Sequence, residues 1–280
     1  MIRRTVPQKT ISKETKLSGV GLHTGKHVTI AFKPAPTNTG IVFVREDIDG
    51  DNLIDAHIKY ISNTDRGTNL DNGTFRIHTS EHVLAAITGL EIDNCFICLD
   101  GPEVPIMDGS SKFFVDALEN AKIVEQNVLR EEFFPSEPIS FECEESGSRI
   151  SIIPNDTYQI DTIVDYKTKV LGEQEASINH ISEFKTEIAS ARTFSFLHEL
   201  ETLLENGLIK GGDLNNAIVY VDKPLGESNM DILKKAFNKD TISVTPNGIL
   251  DNLDLHYPNE AARHKLLDVI GDLALIGMKI

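Results

Sequence analysis

Apolar and polar positions follow two periods along this chain of 280 residues, each in short blocks. His27–Phe32 (HVTIAF) alternates with period 2 and predicts a strand, Lys33–Gly40 (KPAPTNTG) a turn, and Ile41–Arg45 (IVFVR) a second strand. Glu81–Leu90 (EHVLAAITGL) changes to a helical period. Asn94–Asp100 (NCFICLD) is apolar and strand-like, and a second helix is predicted at about Ser111–Ala121. The second half runs in the same order. Arg149–Ile153 and Ile160–Tyr166 predict strands around a turn at Pro154–Thr157, Thr193–Asn206 is helical in period, Asn216–Asp222 (NAIVYVD) echoes NCFICLD, and a last helix spans about Asn259–Gly277.

Two readings of this repetition stay open: internal duplication, or coincidence among common strand–helix alternations. Duplication predicts an α+β fold of two sheet-plus-helix domains, 1–126 and 127–280, with the active site in the cleft between them. The link between them falls at about Glu125–Pro138, where FFPSEP disfavours both helix and ladder.

Composition narrows the function classes. A net charge of −16 lacks the basic balance of a general nucleic-acid binder. No apolar run approaches the roughly 20 residues of a transmembrane helix, and MIRRTVPQKTISKET lacks the apolar centre of a signal peptide. Three cysteines cannot build a disulfide framework, so a reducing cytoplasm is expected.

Two places carry candidate chemistry. Glu81-His82 follows Thr79 and Ser80, either of which is a good N-cap, so both residues fall in a first helical turn. They are read either as a general base beside a metal ligand or as a capping acid beside a surface histidine. In Arg263–Asp268 (RHKLLD), His264 and Asp268 are spaced i, i+4 and share a helix face, with Asp272 one turn on. That pair is either a metal site or an intrahelical ion pair on a solvated face. Together, His82, His264 and Asp268 make an open three-ligand zinc set, with Glu81 placed to take a proton from water. Cys95-x-x-Cys98 lies within an alternating strand that points its members to opposite faces, so buried structural cysteines are expected. Ser18–Gly25 (SGVGLHTG) lacks the glycine patterns of nucleotide loops and is expected to be a tight turn with His23 at a site wall. Asp108 is expected to stabilise the turn before a helix.

The strings SGVGLHTGK (18–26), SEHVLAAITGLEIDN (80–94), PIMDGSS (105–111), ARTF (191–194) and RHKLLDVIGDL (263–273) occur in one order. In them the chain resembles the zinc-dependent UDP-3-O-acyl-N-acetylglucosamine deacetylases of lipid A synthesis. The resemblance implies two similar α+β domains with zinc (Zn2+) in the cleft, bound by His82, His264 and Asp268. It implies Glu81 as general base, Thr193 as oxyanion donor, Lys265 facing the acylated UDP-amino-sugar substrate and Phe194 beside the acyl passage. Tyr166 falls where the family stacks an aromatic on uracil. The acyl channel is expected in an insert at about Lys167–Ser190. The family also carries a catalytic histidine beyond the last zinc ligand, oriented by the aspartate that Asp272 matches. None of this chain's nine histidines follows His264. The expectation is therefore a chain incomplete at its end, with a fused dehydratase domain, as in some members, among the possible continuations. The alternative function is an impaired fragment that binds zinc and nucleotide sugar without turnover.

Overall fold

The structure, a computed structural model, describes all residues except 65, 201–209, 225–226, 238 and 251–252. The first half opens with β1 (Ile2–Ile11), β2 (Thr15–Val20), β3 (His27–Pro34), β4 (Ile41–Arg45) and β5 (Leu53–Asp55). Three short strands follow, β6 (Ile61–Asn63), β7 (Asn69–Asp71) and β8 (Arg76–Ile77), and then α1 (Glu81–Gly89), β9 (Cys95–Leu99) and α2 (Lys112–Asn120). The predicted strands and helices of this half stand within two residues of their expected bounds. A five-stranded sheet has the order β2-β3-β9-β4-β5, in which β4 and β9 run parallel. A parallel pair needs a crossover, and α1 lies within it.

Phe32, Phe43 and Ile97 of the sheet pack with Val83, Leu84 and Ile87 of α1 and with Phe114 and Leu118 of α2. Every residue of α1 is buried. A helix apolar on all sides needs cover on both faces. The sheet covers one, and α4 (Glu260–Leu273) covers the other with Ala262, Leu266, Leu267 and Ile270 in the same core. Gly271 permits the close crossing, since a Cβ there would sit 2.1 Å from the Glu81 carbonyl oxygen.

The fold is α+β, and the strands expected at Arg149–Ile153, Ile160–Tyr166 and Asn216–Asp222 and the last helix are present, but two stretches of the second half differ from the local pattern. The stretch expected as a linker, Glu125–Pro138, is strand through most of its length. Here β10 (Ile123–Phe133) pairs antiparallel with β1, so the boundary expected at 126 falls inside a ladder. Its partner lies more than a hundred residues away, and no local period reports such a pairing. Next come the hairpins β11 (Ile139–Glu142)–β12 (Arg149–Ile152) and β13 (Ile160–Asp165)–β14 (Glu173–Ile178). The helix expected at Thr193–Asn206 starts instead as β15 (Phe194–Phe196), parallel to β16 (Ile218–Tyr220). Only 197–200 are helical before residues 201–206 pass outside the described part. Pairing with β16 buries Phe196 and overrides the helical period. A further helix, α3, spans Glu227–Ala236.

Candidate metal centre

The first turn of α1 meets the middle of α4. Ser80 is the N-cap of α1, but its side chain makes no capping bond. Its amide and hydroxyl both donate to the Thr68 carbonyl instead, at 3.1 and 2.9 Å, which joins the helix start to the β7 strand. The start of α4 is held by a buried pair: Arg192 Nε donates to Glu260 Oε1 at 2.8 Å, and the Arg192 amide donates to the same oxygen. This pair ties ARTF to the helix that carries His264.

His82, His264 and Asp268 converge, with one ligand atom from each lying within 4.8 Å of the others. Asp268 Oδ1 stands 3.8 Å from His82 Nε2 and 3.5 Å from His264 Nε2. Those gaps are too long for hydrogen bonds. They are close to the roughly 3.4 Å between neighbouring ligands in a tetrahedron with zinc-like bond lengths. The donor set fits a metal ion in a second way, because Asp268 Oδ1 is buried and has no hydrogen-bond partner. His264 Nδ1 donates to the Ala191 carbonyl at 3.0 Å, which fixes the tautomer and leaves Nε2 as a lone-pair donor. Both rings are buried, so the surface-histidine and solvated ion-pair readings do not hold. Burial pushes the His82 imidazole down to about 3 and lowers His264 as well, so both are neutral and able to bind metal near pH 7. Burial would raise Asp268, but His264, Lys265 and His82 outweigh it and lower the carboxyl. Lys265 Nζ donates to Asp268 Oδ2 at 2.8 Å, turning Oδ1 towards the rings.

Two further carboxyls stand beside the trio. Burial, and then the charge of Asp268, push Glu81 up to about 8. Burial pushes Asp272 up to about 6. Glu81 Oε2 accepts from the Thr68 amide at 2.9 Å, and Asp272 Oδ1 accepts from the Thr68 hydroxyl at 2.6 Å.

A cavity of about 440 Å³ opens onto these groups. His23, Thr193, Phe194 and Lys265 line it together with Glu81, Asp272 and the metal trio. Tyr166 is not in the lining; it is half exposed and packs edge-on against Phe194 at 5.6 Å. The apolar wall includes Leu200, Ala217, Val219 and Phe237, and no residue of the expected insert at Lys167–Ser190 contributes to it. Most of the wall comes from the β15–β16 region, whose pairing a local reading misses, and Phe237 joins it from just past the end of α3.

Three supporting residues escaped the sequence analysis. Thr68 has no motif around it. Glu103, fully buried, accepts from the amides of His23 and Thr24 and from the Thr24 hydroxyl, and so holds the SGVGLHTG turn in place. Glu260 is an acid in the first turn of α4, outside the strings that carry the resemblance. An acid next to a string of site residues was the only available signal for Glu103 and Glu260. Cys95 and Cys98 are buried, with thiols pushed up to about 12 and about 11 by burial, as expected for structural cysteines. Asp108 accepts from the amide and hydroxyl of Ser110 and is a turn residue.

The sequence model of the family described as UDP-3-O-acyl N-acetylglycosamine deacetylase matches residues 8–231 and 227–280. The chain is 45% identical over 278 residues to the bifunctional enzyme LpxC/FabZ of Chlorobaculum tepidum, covering 98% of this chain and 60% of that protein. It is 41% identical to the protein of the same name in Bacteroides thetaiotaomicron, covering 98% of the chain and 59% of the relative. It is 37% identical to the UDP-3-O-acyl-N-acetylglucosamine deacetylase of Acidithiobacillus ferrooxidans, covering 97% of the chain and 82% of that protein. The chain thus spans about 60% of the length of the bifunctional relatives.

Proposed function

The chain belongs to the UDP-3-O-acyl N-acetylglycosamine deacetylase family, and from that premise we propose that it removes the N-acetyl group of UDP-3-O-acyl-N-acetylglucosamine, a step of lipid A synthesis, with zinc held by His82, His264 and Asp268. The observation that carries this reading is the convergence of two neutral imidazoles and one unpartnered carboxylate oxygen beside Glu81. Zinc in that position supplies Lewis acidity, which makes water nucleophilic near neutral pH and polarises an amide carbonyl.

The protein's own groups do the rest. Glu81 takes the proton of the attacking water, and a carboxyl near 8 without metal matches a group that must both accept and return a proton. Thr193 is pinned by its amide to Gly109 and by its carbonyl to Ile218, and its hydroxyl is the proposed donor to the oxyanion. Asp272, the match to the aspartate that orients the family's catalytic histidine, is held at the cavity by the Thr68 hydroxyl. Lys265 keeps Asp268 aimed and gives the anionic substrate a cation at the cavity wall. Phe194 lies against the acyl chain, which runs along Leu200, Val219 and Phe237. Tyr166 stacks on the uracil, and His23 closes the opposite wall. The two ligand helices, α1 and α4, come one from each half of the chain. No helix among the described residues is long and apolar enough to cross a membrane, and by likeness to the family the reaction is assigned to the cytoplasm.

The test is acetate release from the acylated UDP-sugar and from UDP-N-acetylglucosamine, before and after chelation and zinc return. Release that needs both the acyl chain and zinc is expected. Full zinc stoichiometry in a His82→Ala/His264→Ala double variant, or no release by zinc-loaded protein, overturns the reading.

A further inference from the structure

Thr68 uses every polar group it has, and uses them on the site. Its amide donates to Glu81 Oε2 at 2.9 Å, and its hydroxyl donates to Asp272 Oδ1 at 2.6 Å. Its carbonyl accepts from the amide and hydroxyl of Ser80, at the start of the helix that carries Glu81 and His82. Thr68 is buried at the cavity wall, where a low local dielectric strengthens these bonds. Glu81 and Asp272 belong to helices from opposite ends of the chain, and no hydrogen bond joins them directly. Their like charges repel, so each helix alone would let its carboxyl turn away. The preceding residue supports the arrangement. Gly67 has φ +152, and a Cβ there would stand 3.1 Å from Glu81 Oε1, so the backbone closes on that carboxylate as only glycine permits.

We propose that Thr68 is a positioning residue that fixes the carboxylates of Glu81 and Asp272 relative to each other and thereby to the metal trio. Thr68 lines the cavity, but its amide, hydroxyl and carbonyl are all engaged by Glu81, Asp272 and Ser80, so the role assigned to it is positioning. Its action runs through Asp272, by the hydroxyl, and through Glu81, by an amide whose place the Ser80 bonds set. The inference rests on the proposed deacetylation only for its kinetic part. The placement of Asp272 is a property of the protein without substrate.

Thr68→Val keeps the shape and the backbone bonds and removes only the hydroxyl, whereas Thr68→Ser keeps the hydroxyl. A hydrogen bond to a charged group is worth about 1.5–3 kcal/mol, so Thr68→Val should lower kcat by about ten- to a hundredfold. KM should stay within about twofold and zinc stoichiometry should not change. Thr68→Ser should recover most of kcat. Crystal structures of the two variants supply the second readout: Asp272 should turn away from residue 68 in Thr68→Val and remain bonded in Thr68→Ser. Wild-type kcat in Thr68→Val, an equal loss in both variants, or an unmoved Asp272 in Thr68→Val overturns the proposal. If the unmodified, zinc-loaded protein releases no acetate, the deacetylase reading fails and the two crystal structures alone decide the role of Thr68.

Discussion

The two ends of α1 handle buried charge in opposite ways. Just past its C-terminus, Arg130 donates to both oxygens of Asp93, at 2.7 and 2.9 Å, and to Glu91 Oε1 at 3.0 Å, while Lys9 Nζ donates to Glu91 Oε2 at 2.9 Å. Burial alone would raise Glu91, but the hydrogen bonds from Lys9 and Arg130 outweigh it and hold the carboxyl down to about 2. At the N-terminus, one lysine serves three carboxylates. Glu81 rises to about 8, Asp272 to about 6, and Asp268 Oδ1 and His82 Nδ1 lack hydrogen-bond partners. Where cations accompany the acids, burial gives a fastener between β1, β10 and the helix. Where cations are too few, it gives a cluster of lone pairs and a proton-holding carboxyl, which a metal ion would complete.

The strongest way to break this contrast is at the ligands. His264→Ala should abolish stoichiometric metal binding, read by metal analysis after dialysis, and all measurable acetate release with it. Retained metal would mean that the N-terminal cluster is another fastener. Next is Glu81→Gln. Metal should stay bound while acetate release falls about 10²–10⁴-fold, the usual worth of a positioned proton-transfer group. The same variant should raise the metal-free melting temperature at pH 8, because it removes a carboxyl that folding holds protonated. A lower melting temperature would show that the charge at Glu81 stabilises the fold.

Arg130→Met probes the other end. It leaves Asp93 and Glu91 without their main cation and should cost on the order of 3 kcal/mol in denaturant unfolding. Metal stoichiometry should not change. A loss below about 0.5 kcal/mol would put the fastener in the class of weak surface pairs.

The smallest effect is in the pH profile of stability. Glu91 titrates below its unfolded value, so its contribution is present above about 4.5 and fades as pH falls towards about 2. Glu81 and Asp272 titrate above theirs, so their contribution is present in acid and fades as pH rises towards about 8 and about 6. His82 and His264 titrate below their unfolded value, so their contribution is present above about 6.5 and fades as pH falls. The metal-free protein should therefore be most stable between these opposing trends, at about pH 6. Zinc should move that optimum upward, since it binds the deprotonated acids and neutral imidazoles. Thermal melts from pH 3 to 9, with chelator and with zinc, check this. A common optimum in both sets would remove the electrostatic difference between the two ends.

Both predictions for the site draw on features that sequence and structure disclose unequally. With an ordinary imidazole pKa, metal loss is expected below about pH 6. Burial of His82 and His264 moves that loss to lower pH, and nothing in EHVL or RHKLLD reports burial.

Local pattern was enough for β3, β4, α1, β9, α2, β12, β13, β16 and α4, because the period of each is written in its own residues. It was enough also for the i, i+4 relation of His264 and Asp268 and for Glu81 and His82 sharing a first turn, since helix geometry alone sets both. It failed at two stretches whose own period does not report the strand pairing that decides them. The β1–β10 ladder was read as a linker, and Phe194–Phe196 as helix, because the hydrogen bonds that decide them come from residues out of any local window. Thr68 belongs to the same class: an ordinary threonine in a short loop acquires its place only when α4 crosses α1 at Gly271 and brings Asp272 to its hydroxyl. Residue types and their spacing set which groups could do chemistry. Only the close packing of two helices decided which of them would be dehydrated, left without partners and brought within reach of one ion.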